Sequence, residues 1–263
     1  MGLSLAKEKA TVLSLKKALN DGRDFKMQVV MMLDVSGSMH DEFSGGKNSL
    51  MESVLQRSLA FASEVDPDGK VEMVAFSDTA YHMGEMDISA FDRATDTILK
   101  GARPVLWGGT DYAAAFDTYK RANAQAKVIV EEKKPSGFFG AVKGLFGVTE
   151  KVETVETVVQ AAGKDENYPT LIIFITDGEN FGSKQRFISL LQEQVNDHNT
   201  FITLLGAGNE TVDFRLLQEA ANKFPEVDFV SASGIKGLNN DDFYKKLMTT
   251  ELDNFLKKYY AQK

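Results

Sequence analysis

VVMMLDVSGSMHDEF, residues 29–43, decides both the fold and the place to look for function. Five apolar residues in a row are too continuous for a surface helix, so MQVVMMLD (27–34) reads as a parallel strand buried on both faces. The run ends in Asp34, and a carboxylate beside a buried strand is costly unless something pairs with it. Ser36 and Ser38 follow at spacings of two and four. Where a chain turns from strand into helix, side chains at such spacings converge on one point. One carboxylate and two hydroxyls are hard oxygen donors of the kind that suit Mg²⁺, which takes about six oxygens and keeps several waters. Three are too few, and taken alone Asp34 and Ser36 suit a helix cap equally well.

Strands and helices alternate on either side of this stretch. Residues 4–20 have helical periodicity, as do 48–64, 89–100 (with Ser89 as the expected cap), about 112–128, 183–198, 212–224 and about 241–262. Strands are expected at 70–77, 200–208 and 226–232, with a short edge strand at 80–86. TLIIFITDGEN (170–180) is the strongest strand signal and again ends in an aspartate, Asp177. The alternation predicts an α/β fold: a doubly wound, mostly parallel sheet with helices on both faces and one antiparallel edge strand. Ligands of such sheets bind at the carboxyl ends of the strands. Asp34, Asp177 and Thr110, the last at the tip of the glycine loop WGGTDY (107–112), all fall near that edge.

Taken in order, each at the end of its own element, Asp34, Ser36, Ser38, Thr110 and Asp177 resemble the metal-ion-dependent adhesion site of von Willebrand factor type A (VWA) domains. The likeness runs from about residue 24 to 232. It implies that these five residues surround one Mg²⁺ or Mn²⁺, with Ca²⁺ as a further hard cation. It also implies that an Asp or Glu of a partner protein completes the site, which is assembly rather than catalysis. The N-terminal helix and a Phe/Gly-rich insertion look most like the bacterial tellurite-resistance (TerF-like) group, which implies a stress-response setting. Asp41 and Glu42 lie seven and eight residues after Asp34, an offset similar to that of an adjacent metal site in integrin β-subunit domains. They equally suit the start of a helix, where the dipole favours acids.

The expected organisation is an N-terminal helix (1–23) packed on one domain (24–263) that carries an insertion at about 131–168. That connection is far longer than an ordinary helix–strand link. Its GFFGAVKGLFG (137–147) places Phe138, Phe139, Leu145 and Phe146 among glycines. Such a flap either tucks onto the body or offers its apolar side chains to a partner or a membrane surface.

Composition narrows the function classes. The 263 residues are 43% apolar, enough for one sizeable core, and the formal net charge of −8 argues against nucleic-acid binding. With no cysteine, disulfides, thiolate metal sites and thiol nucleophiles are excluded. Lys7, Glu8 and Lys9 interrupt any signal-peptide core, and no apolar run is long enough to span a bilayer, so a cytoplasmic protein is expected. The rival reading is a Mg²⁺-dependent phosphatase with Asp34 as nucleophile. Against it, the motif is D-V-S rather than D-x-D, and no lysine is convincingly placed to hold a phosphate. The glycines at 206 and 208 and the GGKNS stretch (45–49) match no nucleotide-binding fingerprint.

Overall fold

The computed structural model describes residues 4–44, 49–132, 167–197, 199–207, 212–231 and 240–263. In chain order these form α1 (Leu5–Lys16), β1 (Gln28–Asp34), α2 (His40–Phe43), α3 (Leu50–Val65), β2 (Val71–Phe76), β3 (Ala80–Met86), α4 (Ala94–Gly101) and α5 (Tyr112–Glu132). After the connection come β4 (Thr170–Thr176), α6 (Lys184–Asp197), β5 (Thr200–Gly206), α7 (Arg215–Lys223), β6 (Val227–Ser231), α8 (Asn240–Leu247) and α9 (Thr250–Ala261).

The six strands lie in the order β3-β2-β1-β4-β5-β6. All neighbours run parallel except β2 and β3, which pair antiparallel at the edge. Strand order reverses between β1 and β4, the switch point at which open α/β sheets leave a crevice. Side chains alternate along each central strand and both faces are covered, so the strands read as unbroken apolar runs. Val29, Met31 and Leu33 of β1 join Leu171, Ile173 and Ile175 of β4 in a core beneath α1, α3, α4, α8 and α9. Val30 and Met32 face the other way with Phe76, Ile172 and Phe174, against Tyr112 and Phe116 of α5 and Phe187 of α6. Phe174 sits at the centre of that second core, stacked on Phe76 at 4.9 Å and on Phe116 at 5.6 Å between ring centroids.

Helix α1 packs on α3 and α8. The contact is anchored by a buried polar knot: Tyr244 Oη donates to Glu8 Oε2 at 2.8 Å, and Arg57 Nε lies 3.9 Å from the same oxygen. Glu8 is wholly buried, so this tyrosine hydroxyl and the guanidinium offset part of the cost of its charge.

Three expectations need correction. The C-terminal helix expected at about 241–262 is two helices. Thr249 adopts an extended conformation between them, and its side chain accepts a bond from Leu252 N, capping α9 afresh. The helix expected at 89–100 begins as a 3₁₀ turn, Ile88–Arg93, and its cap is Asp87, whose Oδ1 accepts from Ser89 N at 2.7 Å; Ser89 supplies the backbone donor, not the cap. The first helix stops at Lys16 rather than residue 20, because Asn20, Asp21 and Gly22 all take positive φ in the turn that follows. The Phe/Gly-rich stretch, with Phe138, Phe139, Leu145 and Phe146, lies outside the described residues.

Candidate metal centre

Asp34 is the last residue of β1 and is fully buried. Its Oδ1 accepts from Ser36 N at 2.8 Å, and its Oδ2 accepts from Thr176 Oγ1, the last residue of β4, at 2.5 Å. Beyond Ser36 the chain makes a 3₁₀ turn, Gly37–Met39, which Ser36 precedes without lending it a side-chain cap. The two serine hydroxyls are thereby left to each other, with Oγ atoms 3.1 Å apart. Ser38 Oγ then donates to Asp177 Oδ1 at 2.8 Å. The D-x-S-x-S residues and Asp177 therefore form one hydrogen-bonded chain across the β1/β4 switch point. Thr110 closes the group: a Cβ built on Gly178 would lie 3.5 Å from Ser38 Oγ and 3.6 Å from Thr110 Oγ1. The two hydroxyls thus border one small space over a glycine. All five expected residues meet at one place.

The loop that delivers Thr110 is held by backbone bonds. Trp107 N donates to Val35 O, Gly37 N to Gly108 O, and Asp111 N to Ser77 O. Gly108 is required by close approach, since a Cβ there would lie 2.2 Å from Asp78 Oδ1 and 2.7 Å from Ser77 Oγ. From the other side, Tyr112 Oη donates to Gly178 O at 2.5 Å, and Asn180 Oδ1 accepts from Tyr112 N at 3.0 Å.

The electrostatics favour a cation. Burial pushes Asp34 from 3.8 up to about 6 against the pull of its Ser36 and Thr176 hydrogen bonds, and the nearby charge of Asp177 adds to the rise. Asp177, 8% exposed, is also raised by burial, with Glu42 contributing. Two ionised carboxylates held this close repel each other and are poorly solvated, and a divalent cation would relieve both costs. The donor set is two carboxylates and three hydroxyls, all hard oxygens, which fits Mg²⁺ or Mn²⁺ rather than a thiophilic metal. Among the described residues no three His, Cys, Asp or Glu side chains gather into a metal-holding group, so hydroxyls are needed to complete any such site here.

The family model for the VWA domain found in the TerF C terminus matches residues 26–263. The chain belongs to the vWA-TerF-like family. No curated protein matches it. Among solved structures, BatB from Bacteroides thetaiotaomicron aligns with this vWA-TerF-like chain at a TM-score of 0.52 and 16% identity, over 88% of this chain and 99% of that one. An aerotolerance-related membrane protein from Bacteroides fragilis aligns at 0.51 and 15%, over 87% and 99%. Proximal thread matrix protein 1 from the mussel byssus aligns at 0.50 and 13%, over 85% and 48%. At these identities the likeness concerns the fold.

In the vWA-TerF-like chain Asp41 and Glu42 lie on the single-turn helix α2. The Asp41 side chain is 96% exposed beside His40, while the charge of Glu42 reaches Asp177. They gather no third acidic ligand among the described residues. Sequence reasoning missed Thr176, Tyr112 and Asn180 as supports of the site. T-D-G (176–178) held a signal for the first, but the roles of Tyr112 and Asn180 depend on contacts spanning 66 and 68 residues. Among the described residues no helix is long and apolar enough to cross a membrane.

Proposed function

We propose that this chain is a metal-dependent protein-binding module, in which Asp34, Ser36, Ser38, Thr110 and Asp177 hold a Mg²⁺ or Mn²⁺ ion (Ca²⁺ being the third candidate). The observation that carries the reading is the hydrogen-bonded run Asp34–Ser36–Ser38–Asp177 at the switch point, with the Thr110 hydroxyl beside it. Bound there, the cation would supply a Lewis-acidic position for an Asp or Glu of a partner protein. The chain's own residues do the rest. The hydroxyls donate neutral oxygens, so that positive charge is left for the partner. Thr176 and the Ser36 amide fix the Asp34 carboxylate, and the Tyr112–Gly178 and Tyr112–Asn180 bonds hold the Asp177 loop in register with Thr110.

The binding unit in this reading is 24–263, with 1–23 as a helical brace on it. The name of the TerF-like family supports a bacterial tellurite- or stress-resistance complex, and the acidic net charge supports a protein rather than a nucleic acid as partner. Absence of catalysis is part of the proposal. Asp34 is buried with both carboxylate oxygens engaged, a poor posture for the nucleophile of a phosphatase. Calorimetric titration with Mg²⁺ and Mn²⁺, on wild type and Asp34→Ala, tests the reading. Saturable binding to wild type that vanishes in the variant is expected; equal heats from both would end it.

A further inference from the structure

Two aromatic side chains beside the centre keep much of their surface in water. Among the described residues four large apolar side chains are exposed: Leu13, Tyr81, Trp107 and Phe181. Two of these border the centre, and Phe181, at 80%, is the most exposed of the four. Its backbone is not loose. Phe181 N donates to Thr110 O at 2.9 Å, and the Asn180 side chain clamps Gly182 through both its N–H and its C=O. Gly182 is pressed so close that a Cβ there would lie 2.1 Å from Asp111 Oδ1. The loop therefore cannot swing to bury the ring without breaking the braces that also position Thr110 and Tyr112.

Trp107 lies three residues before Thr110, its amide tied to Val35 O one residue past Asp34. It takes φ +65°, a left-handed conformation that a bulky residue adopts at a cost and a glycine would adopt freely. Its ring leans edge-on against His40 and Phe43, at 5.1 and 6.1 Å, and stays 39% exposed. An exposed aromatic on a rigid mount and a strained one beside the same centre are what a preorganised recognition surface requires.

The rim is acidic on the α2 side, where Asp41 is 96% exposed and the charge of Glu42 reaches Asp177; the exposed Glu179, by contrast, is offset by Arg215. A lone carboxylate approaching this rim is repelled, whereas one with basic neighbours is matched by it.

Resting on the metal-dependent reading above, we propose that Phe181 and Trp107 select the partner. The ligand is a protein segment whose metal-seeking Asp or Glu is flanked by an apolar side chain, which packs on these rings, and by basic residues, which face Asp41 and Glu42. The inference goes beyond the centre itself, which any carboxylate could reach.

The test uses short labelled synthetic peptides with one central Asp in a Gly/Ser background. The flanks carry Phe and Arg together, Phe alone, Arg alone, or Ser only. Fluorescence polarisation is read in millimolar Mg²⁺ and in chelator, and metal uptake is measured by calorimetry on the same samples. Wild type is expected to bind the Phe/Arg-flanked peptide more tightly than the Ser-flanked one by about tenfold or more, in Mg²⁺ only. Phe181→Ala should erase most of that preference, Phe181→Leu part of it and Trp107→Leu part of it, with metal uptake unchanged in all three. Metal uptake by wild type together with equal affinities for all flanks, with no peptide binding, or with an undiminished preference in Phe181→Ala would overturn the proposed selection and leave the metal centre standing. Failure of wild type to take up metal would instead sink the reading beneath it, and the selection with it.

Discussion

Replacing Asp34 with Asn should stabilise the metal-free protein at neutral pH, although it removes a residue at the heart of the site. Asp34 is fully buried, and burial lifts its carboxyl from 3.8 to about 6. That difference corresponds to about 3 kcal/mol of folding free energy lost when the group is ionised in both states. Because the folded value is the higher one, the native state holds the proton more tightly than the unfolded chain. The cost is absent below about pH 4, grows between pH 4 and 6, and is present in full above that. The Asp34→Asn side chain escapes the cost and keeps an oxygen for the Ser36 amide. It places an amide nitrogen opposite Thr176 Oγ1, which then accepts instead of donating, at a loss of about 1 kcal/mol. The net expectation is a gain of about 2 kcal/mol at pH 7 in chelator, turning into a loss of about 1 kcal/mol by pH 4. Urea unfolding, followed by far-ultraviolet circular dichroism at both pH values, measures it. Saturating Mg²⁺ should reverse the order, because wild type gains about 2.7 kcal/mol at a hundredfold excess over its dissociation constant and the variant gains almost nothing. A metal-free Asp34→Asn protein less stable than wild type by more than about 1 kcal/mol at pH 7 would refute the reasoning, since Asp34 would then be a structural acceptor rather than a charge awaiting a cation.

Thr176→Val preserves shape but removes the hydroxyl that donates to Asp34 Oδ2. It should cost about 2 kcal/mol at pH 7, and less at pH 4.5 where Asp34 is protonated, with metal affinity also reduced; urea unfolding at the two pH values and calorimetry check both. Tyr244→Phe deprives the buried Glu8 carboxylate of its 2.8 Å donor. A loss of about 2 kcal/mol in unfolding free energy is expected, with faster hydrogen exchange in α1 and α8 but unchanged metal binding.

The architecture was legible because its signals are local. Apolar runs at 29–33 and 171–175, the first ending directly in Asp34 and the second in Thr176 and Asp177, mark strands buried on both faces and name the edge where they end. The five candidate ligands were legible for the same reason. Asp34, Ser36 and Ser38 are neighbours in the chain, Thr110 follows a glycine pair of which Gly108 is pressed against Asp78 and Ser77, and Asp177 directly follows β4. Contacts between distant segments were not legible. Thr176 reads as an ordinary strand threonine until β1 and β4 pair and set its hydroxyl against Asp34. Tyr112 and Asn180 meet only because α5 and the loop after β4 converge on the switch point. Glu8 and Tyr244 are 236 residues apart, so the polar knot under α1 has no local signature. The break at Thr249 was hidden by apolar periodicity that runs on through Leu247 and Leu252, both of which are buried in the same core although they belong to different helices. Phe181 escaped notice because an exposed phenylalanine has no pattern, and only the braced loop around it makes the exposure informative.

The most direct measurement is anomalous diffraction from crystals of the protein soaked in MnCl₂, with Asp34→Ala crystals treated identically. The account predicts one strong Mn²⁺ peak bounded by Ser36, Ser38, Thr110, Asp177 and Asp34, directly or through water, and no peak there in the variant. A wild-type map with no peak at the β1/β4 switch point, or a peak that survives in Asp34→Ala, would contradict it.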